Sequence, residues 1–275
     1  MEGQADIGEK ELTVDKRFQF IPTVEGCKNR TMGKWYDAIP PITRCNNKAG
    51  IVDYFGRKLV KDLPKNIRVG IVSVALSGAN ILLFNEDKYK EYLNAYNYTW
   101  YQNGLKEYGH NPYKRLIKIA KIAKKKGVIR GVLFHQGENN VGSNDWPENV
   151  KIIYNNILGD LKLKAEKVPL LVGEMVRKEK CGRAGQFNEI IDTISDIIPT
   201  SYIISSEDLK PKRDCLHFTN DSYVTFGERY AKQMEDILRL DDDVSKSSAN
   251  NNINSYFNNV SFIFGLLIII ITILF

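Results

Sequence analysis

The sequence contains few of the residues that bind transition metals. Its 275 residues include four cysteines and three histidines, and no two cysteines form a C-x-x-C pair. It also lacks an H-E-x-x-H helix, a Walker phosphate loop and a G-x-G-x-x-G loop. A structural zinc site and a nucleotide-binding loop are therefore not expected, and the sequence implies neither a metal nor an organic cofactor.

The chain also lacks a concentrated charge of one sign. Its formal net charge is +6, and lysine and arginine are interspersed with aspartate and glutamate along the sequence. The one dense basic run, Lys121 to Lys126, falls at the end of a predicted helix. There the cations interact favourably with the helix dipole and stay solvated. We therefore expect no nucleic-acid partner.

The two ends of the chain differ in character. No apolar leader follows Met1, so a secretory signal peptide is not visible. Residues 241–259 are polar and rich in Ser and Asn, which is typical of a flexible linker. Residues 260–275 are almost entirely apolar, a run somewhat short for a bilayer span of about 20 residues. Small residues followed by a polar spacer and an apolar tail form the sequence pattern of a GPI-attachment signal. The sequence thus predicts membrane anchoring behind a domain of residues 1–240, through a GPI anchor or a retained tail.

Within that domain, strand-like runs alternate with amphipathic helices. Strands are predicted over 67–75, 128–134, 168–175 and 202–206, and helices over 111–126, 147–164, 183–198 and from 220 to about 238. This alternation predicts an α/β fold of three layers, with a mostly parallel, flavodoxin-like sheet between helices. In such folds the functional site lies at the carboxyl ends of the strands.

Polar residues follow three of the predicted elements. Ser77-Gly78-Ala79-Asn80 follows the first strand, His135-Gln136-Gly137-Glu138 follows the second, and Asp214 and His217 lie on a loop before the last helix. An Asp three residues before a His can orient the imidazole for proton transfer. Taken alone, that pair is more typical of a surface aspartate and a structural histidine.

Together these segments resemble the SGNH-type hydrolases, in particular carbohydrate esterase family six (the acetylxylan esterases) and the sialate O-acetylesterases. Further stretches of similar sequence are Gly33-Lys34-Trp35-Tyr36, Pro40-Pro41, Asp53-Tyr54-Phe55-Gly56-Arg57, Asn111-Pro112-Tyr113 and Val172-Gly173-Glu174. The resemblance implies that His217 is the general base, that Asp214 holds its tautomer, and that Gly78 and Gln136 stabilise the oxyanion. Further candidates are Asn80 for binding, Glu138 as a brace, and Trp35 and Tyr36 as aromatic residues facing the sugar. For the last two, ordinary packing is the alternative.

The nucleophile of the resembling family is not found in this sequence. The family carries it in a G-Q-S-N motif after its first strand, often followed by Met-Glu-Gly, and this chain begins Met1-Glu2-Gly3. We therefore expect the chain to start just after the serine motif, with the first strand missing and two inner strand edges unpaired. The alternative alignment places Ala5 at the serine position.

The cysteines and sequons are compatible with an oxidising compartment. We predict disulfides between Cys27 and Cys45, which flank the Trp35-Tyr36 loop, and between Cys181 and Cys215. Four N-x-S/T sequons, at Asn29, Asn97, Asn220 and Asn259, give weak support for a secreted glycoprotein. A secreted or cell-surface location is expected.

The resemblance implies an esterase that removes O-acetyl groups from plant polysaccharide by a Ser-His-Asp mechanism, with the chain as given inactive. The alternatives are a sialate O-acetylesterase, a non-catalytic surface protein that binds carbohydrate, and a cytosolic interaction domain with an apolar tail.

Overall fold

The computed structural model describes residues 3–96, 99–250 and 266–274. The strands within these residues are Phe18–Ile21 (β1), Tyr36–Asp37 (β2), Arg68–Ala75 (β3), Val128–His135 (β4), Leu170–Gly173 (β5), Ser201–Ile204 (β6) and Leu267–Leu274 (β7). The α-helices are Glu9–Leu12 (α1), Ile51–Asp62 (α2), Tyr89–Ala95 (α3), Thr99–Glu107 (α4), Pro112–Ala123 (α5), Trp146–Leu161 (α6), Asn188–Ile191 (α7), Ile194–Ile197 (α8) and Asn220–Asn250 (α9).

The strands form one sheet in the order β2-β1-β3-β7-β4-β5-β6. The short pairing of β1 with β2 is antiparallel, and every other pair is parallel. β3 and β4 are buried along nearly their whole length, which explains why their sequences are continuously apolar. The predicted α/β class with a mostly parallel sheet is confirmed.

Helices cover both faces of the sheet, as predicted. α2 and α9 pack together on one face, where Gly227 allows a close approach: a Cβ added there would lie 2.7 Å from the carbonyl oxygen of Ile51. α5 and α6 cover the other face. α5 begins where the Asn111 side chain accepts a hydrogen bond from the Lys114 amide at 2.8 Å, with Pro112 at its first position.

Two of the predicted helices differ in extent from the helices in the structure. The helix expected over 183–198 is a 3₁₀ turn, Gly185–Phe187, followed by the short helices α7 and α8. The last helix does not stop near residue 238, because α9 continues to Asn250. The polar linker predicted over 241–259 is therefore helical in its first ten residues, and 251–265 lie outside the described residues. No Gly or Pro occurs between 228 and 250, so nothing in the sequence stops the helix.

The C-terminal apolar segment is the main correction to the sequence analysis. Expected as a membrane anchor, it forms β7 at the centre of the sheet, parallel to β3 on one side and to β4 on the other. All eight of its residues are buried. A run of isoleucines with one threonine suits a strand covered on both faces as well as it suits a bilayer.

β7 also corrects the expectation of a gap in the sheet. We expected two neighbouring inner strands to lack a partner, but β3 pairs with all eight residues of β7 and β4 pairs with Ile268–Leu274. A buried hydrogen bond of 2.6 Å from Thr272 Oγ1 to Ser73 Oγ joins β7 to β3. In the part of the chain that the structure describes, no helix combines the length and hydropathy that a membrane span requires.

Candidate active site

Asp214 and His217 form a hydrogen-bonded pair on the loop between β6 and α9. The imidazole Nδ1 lies 2.8 Å from Asp214 Oδ2. The other carboxylate oxygen accepts hydrogen bonds from the backbone amides of Leu216 (2.9 Å) and His217 (3.0 Å). The carboxylate is thus fixed by its own loop and in turn fixes the ring, with Nδ1 protonated and Nε2 left as the basic nitrogen.

The same contacts determine the charge of Asp214. Partial burial acts to raise its pKa, but the hydrogen bonds from the His217 side chain and from the two backbone amides outweigh burial and lower the pKa to about 2. Asp214 is therefore ionised at neutral pH, as the orienting carboxylate of such a pair must be.

A disulfide fixes the loop that carries this pair. Cys181 and Cys215 are bonded, with their Cα atoms 5.5 Å apart, as the sequence analysis predicted. The Arg183 amide also donates to the Cys215 carbonyl at 2.9 Å. Cys215 has a φ of 56°, a left-handed conformation that is uncommon for a residue with a side chain. The bridge and this hydrogen bond attach the loop to the segment that follows β5.

The second predicted disulfide is not formed. Cys27 is buried, Cys45 is exposed, and both are free thiols. Burial raises the pKa of Cys27 to about 12, and a hydrogen bond with Cys45 contributes to the shift. The two thiols are therefore neighbours, as the prediction required, but they are in the reduced state.

Tyr223, in the first turns of α9, is fully buried and was not recognised from the sequence as more than an apolar-face residue. Burial raises the pKa of its hydroxyl, and the negative charges of Glu138 and Asp214 raise it further. The hydroxyl accepts a hydrogen bond from the Phe218 amide. Tyr223 thus lies close to both the β4 loop and the Asp214–His217 loop. Its position six residues after His217, at the start of a helix, was the only signal in the sequence.

The loops that follow β3 and β4 are joined by hydrogen bonds between Gln136 and its neighbours. The Gln136 side chain is fully buried, and its amide nitrogen donates to the Ala79 carbonyl (3.1 Å) and to Asn140 Oδ1 (2.6 Å). Its amide oxygen accepts a hydrogen bond from the Trp146 indole. Both amide hydrogens are engaged, so this side chain cannot donate to an oxyanion. The predicted role of Gln136 as an oxyanion donor is replaced by that of a buried brace.

Gly78 and Asn80 keep groups that can face a substrate. Gly78 has a φ of 64°, and its carbonyl accepts a hydrogen bond from Asn139 Nδ2 at 2.7 Å. Within residues 3–96, 99–250 and 266–274 its own amide has no hydrogen-bond partner. Asn80 Nδ2 donates once, to the Asn139 carbonyl at 3.3 Å, and retains a second hydrogen. These two residues remain the candidate oxyanion donors.

His135 and Glu174 are buried close to the site, and their hydrogen bonds hold neighbouring strand ends together. His135 is fully buried, and its Nε2 donates to the Glu174 carbonyl at 3.1 Å. Burial lowers the pKa of His135 to about 3, so the ring is neutral. The Glu174 carboxylate accepts hydrogen bonds from the Ser206 amide (2.7 Å) and from Arg177 (3.0 and 3.1 Å), which joins the ends of β5 and β6.

Trp35 and Tyr36 do not lie beside the Asp214–His217 pair. The Trp35 ring rests against Gly70 and Leu267, at the amino ends of β3 and β7. The Tyr36 hydroxyl accepts a hydrogen bond from the Thr31 amide at 2.9 Å, at the outer edge of the sheet. The site lies at the opposite ends of the strands, roughly 20–25 Å away along β3. The expectation that these aromatics face the reacting sugar is therefore corrected.

Among the residues that the structure describes, none brings a nucleophile to His217. No hydroxyl or thiol in the described part of the chain hydrogen-bonds to Nε2. The alternative serine position, Ala5, is fully buried and forms a β-bridge with Ala49, with N···O distances of 3.0 and 3.1 Å. The Ala5 segment does approach the site loop, because Lys212 Nζ hydrogen-bonds to the Gln4 carbonyl. Among the described residues, no cluster of three or more His, Cys, Asp or Glu side chains could hold a metal ion.

Comparisons with known proteins agree with this geometry. A protein from Arabidopsis thaliana, solved by X-ray crystallography at 1.6 Å, shares 18% of its sequence with this chain and has a TM-score of 0.59. The match covers 84% of this chain and 85% of that one, and at this identity it shows the fold alone. Residues 1–236 match the model of the carbohydrate esterase, sialic acid-specific acetylesterase family. Since that match spans both the strand-end loops and the Asp214–His217 pair, the chain belongs to this family of carbohydrate esterases.

Proposed function

We propose that this protein is an acetyl esterase that removes O-acetyl groups from carbohydrate, with acetylated plant polysaccharide of the acetylxylan type as its substrate. The observation that carries the proposal is the hydrogen bond of 2.8 Å between His217 Nδ1 and Asp214 Oδ2 at the carboxyl ends of the strands. The chain that carries this pair belongs to a carbohydrate esterase family. The sialate O-acetylesterase reaction uses the same chemistry on a different sugar.

In the proposed reaction, His217 Nε2 takes the proton of an attacking hydroxyl as that oxygen bonds to the acetyl carbonyl carbon. Ionised Asp214 stabilises the imidazolium that forms. The Gly78 amide and the Asn80 side chain donate to the developing oxyanion. His217 then returns the proton to the departing sugar oxygen, and water releases acetate in the second half of the reaction.

The attacking hydroxyl in this proposal is the serine of the family's G-Q-S-N motif. That motif is absent from the sequence. We therefore propose that the residues of this sequence bind substrate without turning it over, and that turnover requires a serine supplied in that motif. A secreted location fits the Cys181–Cys215 disulfide, which is stable in an oxidising compartment.

The test compares the printed chain with the same chain preceded by a family segment that carries the G-Q-S-N motif. Hydrolysis of p-nitrophenyl acetate and of acetylated xylan is measured for both. We expect turnover only in the extended chain, and His217→Asn should reduce it about a thousandfold or more. His110→Asn is the matched control, because His110 is exposed and lies on the turn between α4 and α5. Equal activity in His217→Asn and His110→Asn would refute the proposal.

A second function has one observation in its favour. Because His217 has no nucleophile among the described residues, a surface protein that binds acetylated carbohydrate without cleaving it fits the same structure. If the extended chain binds acetylated xylan but releases no acetate, this second function is correct.

A further inference from the structure

A cleft of about 490 Å³ opens at the amino ends of the strands, at the opposite edge of the sheet from the Asp214–His217 pair. Its volume lies within the range of about 300–1,000 Å³ typical of small-molecule sites. The lining residues come from β1, β3, β7, the segment before β2 and the turn after α5: Gln19, Trp35, Arg68, Lys125, Lys126 and Leu267.

One wall of the cleft is an aromatic ring held in place by the sheet. A Cβ added to Gly70 would lie 2.7 and 2.8 Å from two carbons of the Trp35 six-membered ring, and 3.2 Å from Leu267. Only glycine at position 70 lets the indole rest directly on the backbone of β3. The ring is half-buried, so it is fixed on one side and accessible on the other.

The rest of the cleft is cationic. Arg68 is half-buried, Lys125 and Lys126 are exposed, and no carboxylate lines the cleft. Within the part of the chain described by the structure, none of these three cations forms an ion pair. Three uncompensated positive charges around one cleft favour an anionic ligand.

A second cleft, of about 270 Å³, continues the first along the surface. The two share Lys125, and the second is also lined by Lys121, Lys124 and Lys162. Its one carboxylate, Asp160, accepts a hydrogen bond from the Tyr113 hydroxyl at 2.7 Å. The basic run that the sequence analysis took for a solvated helix end thus borders two adjoining clefts.

We propose that the cleft around Trp35 binds an acidic oligosaccharide, a chain of sugars that bear carboxylates. The apolar face of a sugar ring stacks on the indole, whose accessible side is apolar and flat. Arg68 pairs with the carboxylate, for which its planar guanidinium is suited. The Gln19 amide offers a donor and an acceptor to the hydroxyls, and Lys125 and Lys126 attract the next carboxylate along the chain.

The choice of a sugar among anionic ligands rests on the proposed function. Nucleic acid and an anionic lipid surface would also be drawn to the cations. The single half-buried aromatic ring and the limited volume of about 490 Å³ favour one sugar ring at a time over a duplex or a bilayer. Because binding is measured here without turnover, its failure and the failure of the esterase proposal are distinguishable.

The experiment titrates the full chain with a tetramer of galacturonic acid and, separately, with its fully methyl-esterified form, by calorimetry. The two probes share the same sugar backbone, and the ester lacks the negative charges. We expect the acid to bind and the ester to bind at least tenfold more weakly, with an affinity for the acid that falls as salt is added. Duplex DNA and vesicles that contain phosphatidylserine are titrated in parallel.

Two charge-reversal variants test the location. Lys125→Glu/Lys126→Glu should weaken binding of the acid at least tenfold, and Trp35→Phe should weaken it by a smaller factor. Lys90→Glu/Lys106→Glu changes the net charge equally at two exposed lysines, on α3 and α4, that do not line the cleft, and it should stay within twofold of the unmodified chain. The two double-lysine variants should melt at the same temperature as the unmodified chain, because the lysines changed are exposed.

Three results would overturn the proposal. The first is no binding of the acid at millimolar concentration. The second is an equal loss of binding in the two double-lysine variants, which would indicate attraction by net charge alone. The third is tighter binding of DNA or vesicles that is lost in Lys125→Glu/Lys126→Glu, which would identify a different class of ligand.

Discussion

The pKa of Asp214 links the hydrogen bonds of the site loop to the stability of the folded protein. Its pKa of about 2 lies below the ordinary value of 3.8, so the ionised carboxylate stabilises the folded state at pH values above the ordinary pKa. That contribution is lost as the pH falls from 3.8 to about 2, where the folded protein also binds the proton.

We therefore predict that Asp214→Asn changes the pH dependence of unfolding. The free energy of unfolding of the unmodified chain should exceed that of the variant at pH 6, and the difference should shrink towards pH 2. Denaturant unfolding of both chains at pH 2, 3, 4 and 6 measures this. A difference that is constant over this range would show that the carboxylate is not held by the contacts described.

Gln136 provides a second prediction about a single residue. Gln136→Ala leaves the Trp146 indole N–H and the Ala79 carbonyl without partners in a buried place, whereas Asn140 Oδ1 keeps its hydrogen bond from the Ile81 amide. At about 1–3 kcal/mol for an unsatisfied buried group, we expect a loss of roughly 3 kcal/mol in the free energy of unfolding.

Asn139→Ala is the matched control for Gln136→Ala. It removes another side-chain amide that joins the β3 and β4 loops, but Asn139 is exposed and water can replace its hydrogen bond to Gly78. Its cost should be below about 1 kcal/mol. Similar costs for the two variants would mean that Gln136 is not the brace.

Among the elements, the assignment of β7 can be tested most directly, because an apolar segment of this kind could either enter a bilayer or complete the sheet. Ile270 is fully buried between β3 and β4, and Leu266, just before the strand, is 48% exposed. We predict that Ile270→Lys abolishes cooperative unfolding and solubility, since a buried unpaired charge costs several kcal/mol.

Leu266→Lys should unfold at nearly the same temperature as the unmodified chain, since its side chain faces solvent. Both variants are compared by thermal melting in the absence of detergent. If Ile270→Lys melts like Leu266→Lys, residues 267–274 are not part of the folded sheet.

The Cys181–Cys215 disulfide affects the stability of the molecule as a whole. It closes a segment with a sequence separation of 34 residues, and such a loop restricts the unfolded chain by about 3–4 kcal/mol. We predict a loss of that size in Cys181→Ser/Cys215→Ser, measured by denaturant unfolding.

Cys45→Ser is the control for that variant, because Cys45 is an exposed free thiol and its replacement should cost less than about 0.5 kcal/mol. Treatment of the unmodified chain with a reductant should reproduce the effect of the double variant. No change on reduction would mean that the bridge contributes little to stability.

For the whole molecule, the sequence predicted the alternating elements and the residues that follow them, because buried parallel strands are continuously apolar and their ends carry polar loops. β1 was missed, since four residues from Phe18 give too little pattern to distinguish a strand. β7 was misassigned for the opposite reason, because an apolar run carries no information about whether protein or lipid surrounds it. Local pattern also could not show that Gln136 is saturated by hydrogen bonds or that Trp35 lies at the far end of the sheet.

The central position of β7 also has a consequence for the rate of folding. The Thr272–Ser73 hydrogen bond joins residues 199 positions apart, and the whole β7–β3 ladder shares that separation. Contacts so distant in the chain close late, because the entropy of a long loop is lost before any pairing compensates for it. Refolding should therefore be slow, and its yield should fall as protein concentration rises. Until β7 docks, β3 and β4 each present an unpaired inner edge to other unfinished chains.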